Sequence, residues 1–506
     1  MLKVINFAKL DSNEFKTFSS IYNNRLNNPW MHWARRLDVA FHPIFLDQSE
    51  AGKVFLYFHE SEPIGICRII LSPEGAYQHL AKIASVAIDP KYQGKGHGKK
   101  ILDELKQYII DHHPEIARLE LTFEMDNAVA MLGRIYDKAG FVRESYYNDW
   151  FRSSDDLYQA KQHPWYSGEI FSGMLLESQV KQDCYFPSKP LAQIKQNKLQ
   201  TQNDNYNFSL AKVDDTNELT TFFEKGATEL SHLPLSKRKE VIQDKISRAK
   251  IYTVRLSKGQ IVAAGEVDAK LAGLGHIAML NNIQIDLNQE DAGIVLFKNL
   301  IAHSQDSNPD VKRLELKLPA SQIEAIEALQ AIGFDFTGSQ KYRFKDQDGH
   351  YHDEHFFEYS LFNLDDALEC CQRRKNSESK LQENKETFHF PLSFNFLNAL
   401  HHQLQSIKIS KVLDAEQERI LFKLVRILCT QDCFSPTERH HQCAKLKETF
   451  PEMFSIPAIV NLYQLCVKQL KPSSSTEFFE KNSHFQIKKE ETGEPHSSSI
   501  SQFGLK

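Results

Sequence analysis

The sequence predicts an α+β chain in which a strand-and-helix unit occurs twice and is followed by a small all-α unit. Three observations carry that expectation. Residues 82–109 read as strand, glycine-rich loop and helix; parts of that unit recur in order some two hundred residues later; and apolar residues beyond position 390 keep helical spacing.

The strand is Lys82 to Asp89, with Ile83, Val86 and Ile88 among small residues and a stop at Asp89 and Pro90. Gln93, Gly94, Lys95, Gly96, His97, Gly98, Lys99 and Lys100 form the loop, and Ile101, Leu102, Leu105, Tyr108 and Ile109 follow at helical spacing. Glycines let a backbone turn its N–H groups outward, and a helix start adds partial positive charge, so the pair makes an anion site. A P-loop needs Ser or Thr after Gly-Lys, and the dinucleotide fingerprint needs a glycine at position 99. Lys99 and Lys100 fail both.

The loop resembles the Gln/Arg-x-x-Gly-x-Gly/Ala element of the GNAT acetyltransferases, met by Gln93, Gly96 and Gly98. A second motif of that family follows at the expected distance: Asn127 and Ala128, then Ile135, Tyr136, Asp137, Lys138, Ala139, Gly140 and Phe141. The resemblance implies a mixed-sheet GNAT fold that uses acetyl-CoA as co-substrate and needs no metal. It implies that Val86, Ala87 and Ile88 meet the pantetheine arm. Gln93, Gly94, Lys95, Gly96, His97, Gly98 and Lys99 would then hold the phosphates, with Asn127 also in the coenzyme site. Tyr136 stands where many family members place the tyrosine that protonates the CoA sulfur.

Acetyl transfer to an amine also calls for a base, since an amine of pKa about 10.4 is neutral only about once in 10³ at pH 7. Glu120 and Glu124 lie on one face of the strand Arg118 to Glu124, whose other face carries Leu119, Leu121 and Phe123. Glu74 and His79 are further candidates. Any of the four can be the base at this level of reading.

Around this centre, Val4, Ile5 and Phe7 read as a strand and Ser12 to about Asn23 as a helix. Trp30 to Arg36 is a candidate acceptor wall. Val54 to His59 and Ile64 to Leu71 make two further strands, Asn127 to Lys138 a helix stopped by Gly140, and Tyr146 to Leu176 a long hairpin with a polar excursion from Arg152 to His163. The first unit is thus residues 1–186.

Pro187, Pro190 and a run of Gln, Lys and Asn to about residue 205 read as a linker. Then Val86 to Asp89 is echoed by Ile283 to Asp286, Arg118 to Leu121 recurs letter for letter at Arg313 to Leu316, and Gly140-Phe141 returns as Gly333-Phe334. The order and the separation are nearly constant, so residues 205–362 read as a second GNAT-like unit, ending in a hairpin with its turn at Asp346 to Gly349. It reads as degenerate. Counting from Asp286, Asp291, Ala292, Gly293, Ile294 and Val295 stand where the first unit has Gly94, Lys95, Gly96, His97 and Gly98. Leu329 replaces Tyr136.

Arg373 to Glu386 is charged and low in apolar residues and reads as a solvated helix or a linker, and residues 387–471 form the helical unit, a candidate surface for another protein. Cys429, Cys433, His440, His441 and Cys443 match no standard zinc spacing. The tail, residues 472–506, is rich in Ser, Glu and Lys and expected to be disordered. Its acidic, serine-bearing end resembles bacterial type IV effector signals. With 41% hydrophobic and 25% charged residues and a net charge of −5, the chain is globular, and nothing points to nucleic acid or a membrane. Met1 to Leu10 lacks a leader's basic start and apolar core, and eight cysteines among 506 residues suit a reducing cytoplasm, with delivery into a host cell as the alternative. The expected activity is acetyl transfer to a primary amine of a small molecule or protein. The other class is a non-catalytic acyl-CoA-binding or scaffolding protein.

Overall fold

A computed structural model describes residues 1–4, 52–71, 75–124, 132–153, 165–176, 185–186, 205–269, 276–286, 288–381, 392–411, 413–429 and 436–470. The expected helix at 12–23, the acceptor wall at 30–36, Glu74, Asn127, Cys433, most of the polar excursion, the linker and the tail lie outside the described residues.

Alternating and helical apolar patterns become one mixed sheet with helices packed on it. The first part of the chain gives β1 (Leu2–Val4), β2 (Gly52–His59), β3 (Glu62–Leu71), β4 (Leu80–Ile88), α1 (His97–His112), β5 (Arg118–Glu124), α2 (Leu132–Lys138), β6 (Val142–Ser153) and β7 (Trp165–Leu175). Period-two alternation in β5 sends Leu119 and Leu121 into the core. There they meet the stripe Ile101, Leu102, Leu105 and Ile109 of α1.

After β8 (Tyr185–Phe186) come β9 (Tyr206–Leu210), α3 (Thr216–Glu224), α4 (Leu235–Ser247), β10 (Ile251–Leu256), β11 (Ile261–Ala269) and β12 (Ile277–Ile285). Then follow α5 (Glu290–Ser307), β13 (Arg313–Pro319), α6 (Ile323–Ala331), β14 (Asp335–Lys345) and β15 (Tyr351–Ser360).

Strand order is β1-β2-β3-β4-β5-β7-β6-β14-β15-β13-β12-β11-β10-β9, with β8 added beside β15. The order reads the same from both ends. Each strand of β1–β7 has a counterpart in β9–β15, and the halves meet at Ser145 of β6 and Gly338 of β14. The likeness extends to register: β4 pairs with β5 from Leu80↔Arg118 to Ile83↔Leu121, and β12 with β13 from Ile277↔Arg313 to Leu280↔Leu316.

The last described helices are α7 (Leu364–Leu381), α8 (Phe394–Ser410), α9 (Ala415–Cys429), α10 (Pro436–Thr449) and α11 (Pro457–Leu470). Their shared core begins at Phe362 and takes in Leu364, Ala367 and Cys371, well before position 387. The apolar spacing of α7 precedes its charged run, which hid it in the sequence. On α9, Arg419, Lys423 and Arg426 fall on one helical face and are buried against the second half of the sheet. Arg419 donates to the Gly333 carbonyl (3.3 Å), Lys423 pairs with Asp335 (2.5 Å) and Arg426 with Glu358 (3.2 Å). Cys429 and Cys443 are buried in the helical core while His440 and His441 are exposed, so these four groups do not converge. No helix among the described residues is long and apolar enough to cross a membrane.

Candidate active site

The site begins where a ladder ends. β4 and β5 run on to Ile88 and Glu124, but their pairing stops at Ile83↔Leu121. On its other side β4 stays paired with β3 as far as Ile88↔Gly65. Among the described residues, no strand therefore covers the β5-facing edge of β4 from residue 84 to 88. Such an edge is open to an extended, amide-bearing chain that adds as a strand would. Val86 and Ile88 pack on the core with their side chains, so Val86, Ala87 and Ile88 offer a ligand mainly their backbone.

The loop takes over at the end of β4. Asp89 accepts from the backbone N–H of Lys91 (2.9 Å), Tyr92 N–H bonds the Asp89 carbonyl (2.9 Å), and the Gln93 side-chain Nε2 donates to the Ile88 carbonyl (3.0 Å). Gly94 and Gly96 then adopt left-handed backbone (φ 75° and 82°), and a Cβ on either would meet no atom within 4 Å. Gly96 caps α1 with no side chain in the capping place, and the first bonded amide is that of Lys100, on the Gly96 carbonyl (3.3 Å). The amides of His97, Gly98 and Lys99 precede it and have no acceptor among the described residues. Open space, unpaired amides and a helix start coincide, which is an anion cradle. Lys95 lies over the Tyr92 ring (5.2 Å), and Lys99 is tied to Asp103 (2.5 Å).

Two loop residues have roles that their types do not announce. His97 is buried among the rings of His59, Tyr57 and Tyr92, and burial, then His59 and the lysines, push its pKa down. Its imidazole is neutral and turned inward, so it offers an anion only its amide. A Cβ on Gly98 would lie 3.4 Å from Ile135, and this close approach seats α2 on the first turn of α1. Tyr136, the next residue on α2, packs on the same core with its ring edge-on to Phe141 (6.2 Å).

The expected bases separate. Glu120 sits in the ladder one pair before the opening, opposite Lys82, and is bound by Arg343 of β14 (3.0 Å). Burial pushes its pKa up, but Arg343, Arg118 and the Arg343 hydrogen bond outweigh this and hold it at about 2. A carboxylate held so low is a poor proton acceptor. The side chain of Glu124, at the far end of β5, lies outside the described residues. His79 precedes β4, at the opposite end of that strand from the loop. It is buried with Nε2 on the Tyr342 carbonyl (2.7 Å), and burial first of all lowers its pKa to about 4.

Arg343 is the residue that sequence reasoning missed. It pairs with both Glu120 and Glu354 of β15, and Tyr77 donates to Glu354 (2.6 Å). Nothing local marks an arginine for a partner in another half of the sheet.

Among the described residues, the corresponding loop of the second half lacks left-handed glycines. Asp286 repeats the Asp89 turn, accepting from Asn288 N–H (3.0 Å) while Gln289 N–H bonds its carbonyl (2.9 Å). α5 then begins at once at Glu290. A Cβ on Gly293 would meet Ala328 of α6 at 2.8 Å, the same close helix approach that Gly98 makes to Ile135. The sequence count that set Gly293 opposite Gly96 is thus corrected: Gly293 answers to Gly98, Ala292 to His97, and the segment from the turn aspartate to this glycine is two residues shorter.

A profile of the acetyltransferase (GNAT) family matches residues 15–141, so a GNAT-family domain lies in the first part of the chain. Solved structures similar to this chain include a probable acetyltransferase from Staphylococcus epidermidis (19% identity, 31% of this chain and 99% of that one, TM-score 0.27). Another is a ribosomal-protein-alanine N-acetyltransferase from Brucella melitensis (17%, 31% and 99%, TM-score 0.27). A third is a phosphinothricin acetyltransferase from Sinorhizobium meliloti in complex with AcCoA (11%, 31% and 88%, TM-score 0.27). No curated protein matches the chain.

Proposed function

We propose that the first half of this chain is an acetyl-CoA-dependent N-acetyltransferase acting on a primary amine of a small molecule or a protein, and that residues 205–362 are a degenerate GNAT-like partner. The observation that carries the reading is the opening between β4 and β5 beside a left-handed glycine loop with unpaired amides. The uncovered edge of β4 takes the pantetheine arm, and the amides from Gly94 to Lys99 with the loop lysines take the pyrophosphate. The thioester then lies along the opening. The amine nitrogen attacks its carbonyl carbon, the C–N bond forms, and the C–S bond breaks as the tetrahedral oxyanion collapses.

Tyr136 gives its phenolic proton to the leaving thiolate, a task suited to a group of pKa about 10. With Glu120 held by Arg343 and His79 buried at the opposite end of β4 from the loop, the base role is left to Glu124 or Glu74. The mirrored strand order and the matching ladder registers support the second unit, and the direct entry from Gln289 into α5 supports its degeneracy. The pairing of Glu120 favours one alternative, an acyl-CoA-binding protein without turnover.

Acetyl-CoA consumption against a panel of amines and peptides, alongside calorimetric titration of acetyl-CoA, separates the two. Tyr136→Phe is expected to lower kcat by about 10²-fold at unchanged coenzyme affinity. Gly96→Glu is expected to abolish binding, because it puts a strained side chain and a negative charge into the cradle. Binding with no turnover of any acceptor selects the alternative, and unchanged affinity in Gly96→Glu removes both readings.

A further inference from the structure

The β14–β15 turn carries a chemistry that acetyl transfer does not use. Its sequence runs Asp346, Gln347, Asp348, Gly349, His350, Tyr351, His352. Gly349 turns the chain with φ 87°, and its N–H bonds the Asp346 carbonyl (3.2 Å). Asp346 N–H bonds the His350 carbonyl (2.8 Å), and the ladder continues with Lys345↔Tyr351 and Phe344↔His352. Asp346 therefore stands across from His350, and the two-residue strand period puts His352 on the same face.

The side chains converge accordingly. His352 Nε2 lies 2.8 Å and His350 Nδ1 3.4 Å from the same oxygen, Asp346 Oδ2. Asp348 folds in from the turn, so that ligand atoms of Asp346, Asp348 and His350 all lie within 4.8 Å of one another. Donors bound tetrahedrally at ~2.0–2.2 Å from a common ion are roughly 3.3–3.6 Å apart. These three donors need only small side-chain adjustments to reach that spacing, and His352 bonds Asp346 from outside the group.

We propose that Asp346, Asp348 and His350 form a divalent transition-metal site on this hairpin, with His352 as the hydrogen-bond partner that orients Asp346. One imidazole nitrogen with two carboxylate oxygens suits a borderline ion such as Zn²⁺; Mg²⁺ and Ca²⁺ prefer all-oxygen shells, and Cu(I) prefers sulfur. The turn is held from outside the cluster: Gln347 donates to the Ser231 carbonyl (2.5 Å) and His232 Nε2 meets the Lys345 carbonyl (2.6 Å). Donors on a scaffold fixed in this way lose little entropy on closing around an ion. Lys345 N–H bonds the Ala76 carbonyl of the first half (3.1 Å), so the ion would stiffen the tip of the arm that rests there.

The test uses the full-length chain, stripped with a chelator and titrated with Zn²⁺ by calorimetry and with Co²⁺ by visible absorption. One saturable site with cobalt d–d bands and no thiolate-to-cobalt charge transfer is the expected result. The His350→Asn/His352→Asn double variant should lose at least tenfold in affinity, and Asp348→Asn, an exposed change, should weaken binding while leaving the metal-free unfolding midpoint unmoved. Absence of saturable binding, affinity unaltered in the double variant, or a charge-transfer band that places the ion on cysteines would each overturn the proposal.

Discussion

Arg343 of β14 binds Glu120 of β5 at 3.0 Å across 223 residues of sequence. The same guanidinium pairs with Glu354, which also accepts from Tyr77, so one arginine ties a partly buried and a fully buried carboxylate in the two halves of the sheet. Nearby, Arg118 donates to the Lys341 carbonyl (2.8 Å) and His79 meets that of Tyr342 (2.7 Å). The distal part of β14 thus lies against the first half through polar contacts. Desolvated charges of this kind are costly to break singly, because each deletion strands its partner.

Arg343→Met should therefore destabilise the protein by about 3–5 kcal/mol, and adding Glu120→Gln and Glu354→Gln should recover part of the loss. The pH dependence has a defined sign. Glu120, held at about 2 against an ordinary 4.5, adds stability that is present above 4.5 and lost as pH falls towards 2. The loss is on the order of 3 kcal/mol. Urea unfolding of wild type and Glu120→Gln at pH 6 and pH 3 checks this. Equal pH losses in the two proteins would mean that Glu120 is not held as a buried anion.

His79 should act in a higher window. A ring nitrogen facing a carbonyl must carry the proton, so Nε2 is the protonated atom and buried Nδ1 is bare. Burial first, and then Lys345, Arg118 and Arg343, lower its pKa from 6.5 to about 4 against the pull of the Tyr342 carbonyl. Between those values the unfolded chain binds a proton that the folded chain refuses, so stability drops as pH falls from 6.5 to 4, by on the order of 3 kcal/mol. His79→Gln keeps an N–H donor and removes the titration. Its unfolding free energy should change less than that of wild type between pH 7.5 and pH 4.5, and parallel slopes would refute the assignment.

The repeated tetrapeptides mark what the sequence can and cannot reveal. Arg118 to Leu121 and Arg313 to Leu316 are the same four letters, and the structure sets them at the same register of the same ladder. Yet Arg118 pairs with Glu144, whereas Arg313 pairs within its own strand with Glu315 at 2.9 Å, and Glu120 is taken by Arg343. Strand position follows from alternation and apolar burial, which are local. Pairing depends on which distant strand arrives, and no period encodes it. The loop glycines were legible for the same local reason. The inward turn of His97 was not, since a histidine between glycines and lysines reads as a phosphate ligand until Tyr57, His59 and Tyr92 close around it.

The unequal loops predict a stoichiometry of one acetyl-CoA per chain. In the first half, four residues from Gln93 to Gly96 separate the Asp89 turn from α1, two of them left-handed glycines, and three helix amides stay open. In the second half, helix follows the Asp286 turn directly, and no glycine with positive φ lies between them among the described residues. Asp291 stands in the first turn of α5, so a carboxylate already occupies the end that would attract phosphate. A like charge at ~6 Å and an effective dielectric of about 20 repels by about 3 kcal/mol, roughly a hundredfold in affinity, before the missing amides are counted. Leu329, fully buried, stands where the first half has Tyr136. Calorimetric titration should give a single site that Gly96→Glu removes completely. Gly293 is unsuited to the reciprocal test, since a side chain there would meet Ala328 and push α6 from α5 whether or not coenzyme binds. Asp291→Lys is the better probe: it reverses the charge at the second helix start, and it should leave both stoichiometry and affinity unchanged. Two equivalents bound per chain, or a site that survives Gly96→Glu and responds to Asp291→Lys, would transfer the coenzyme to the second half.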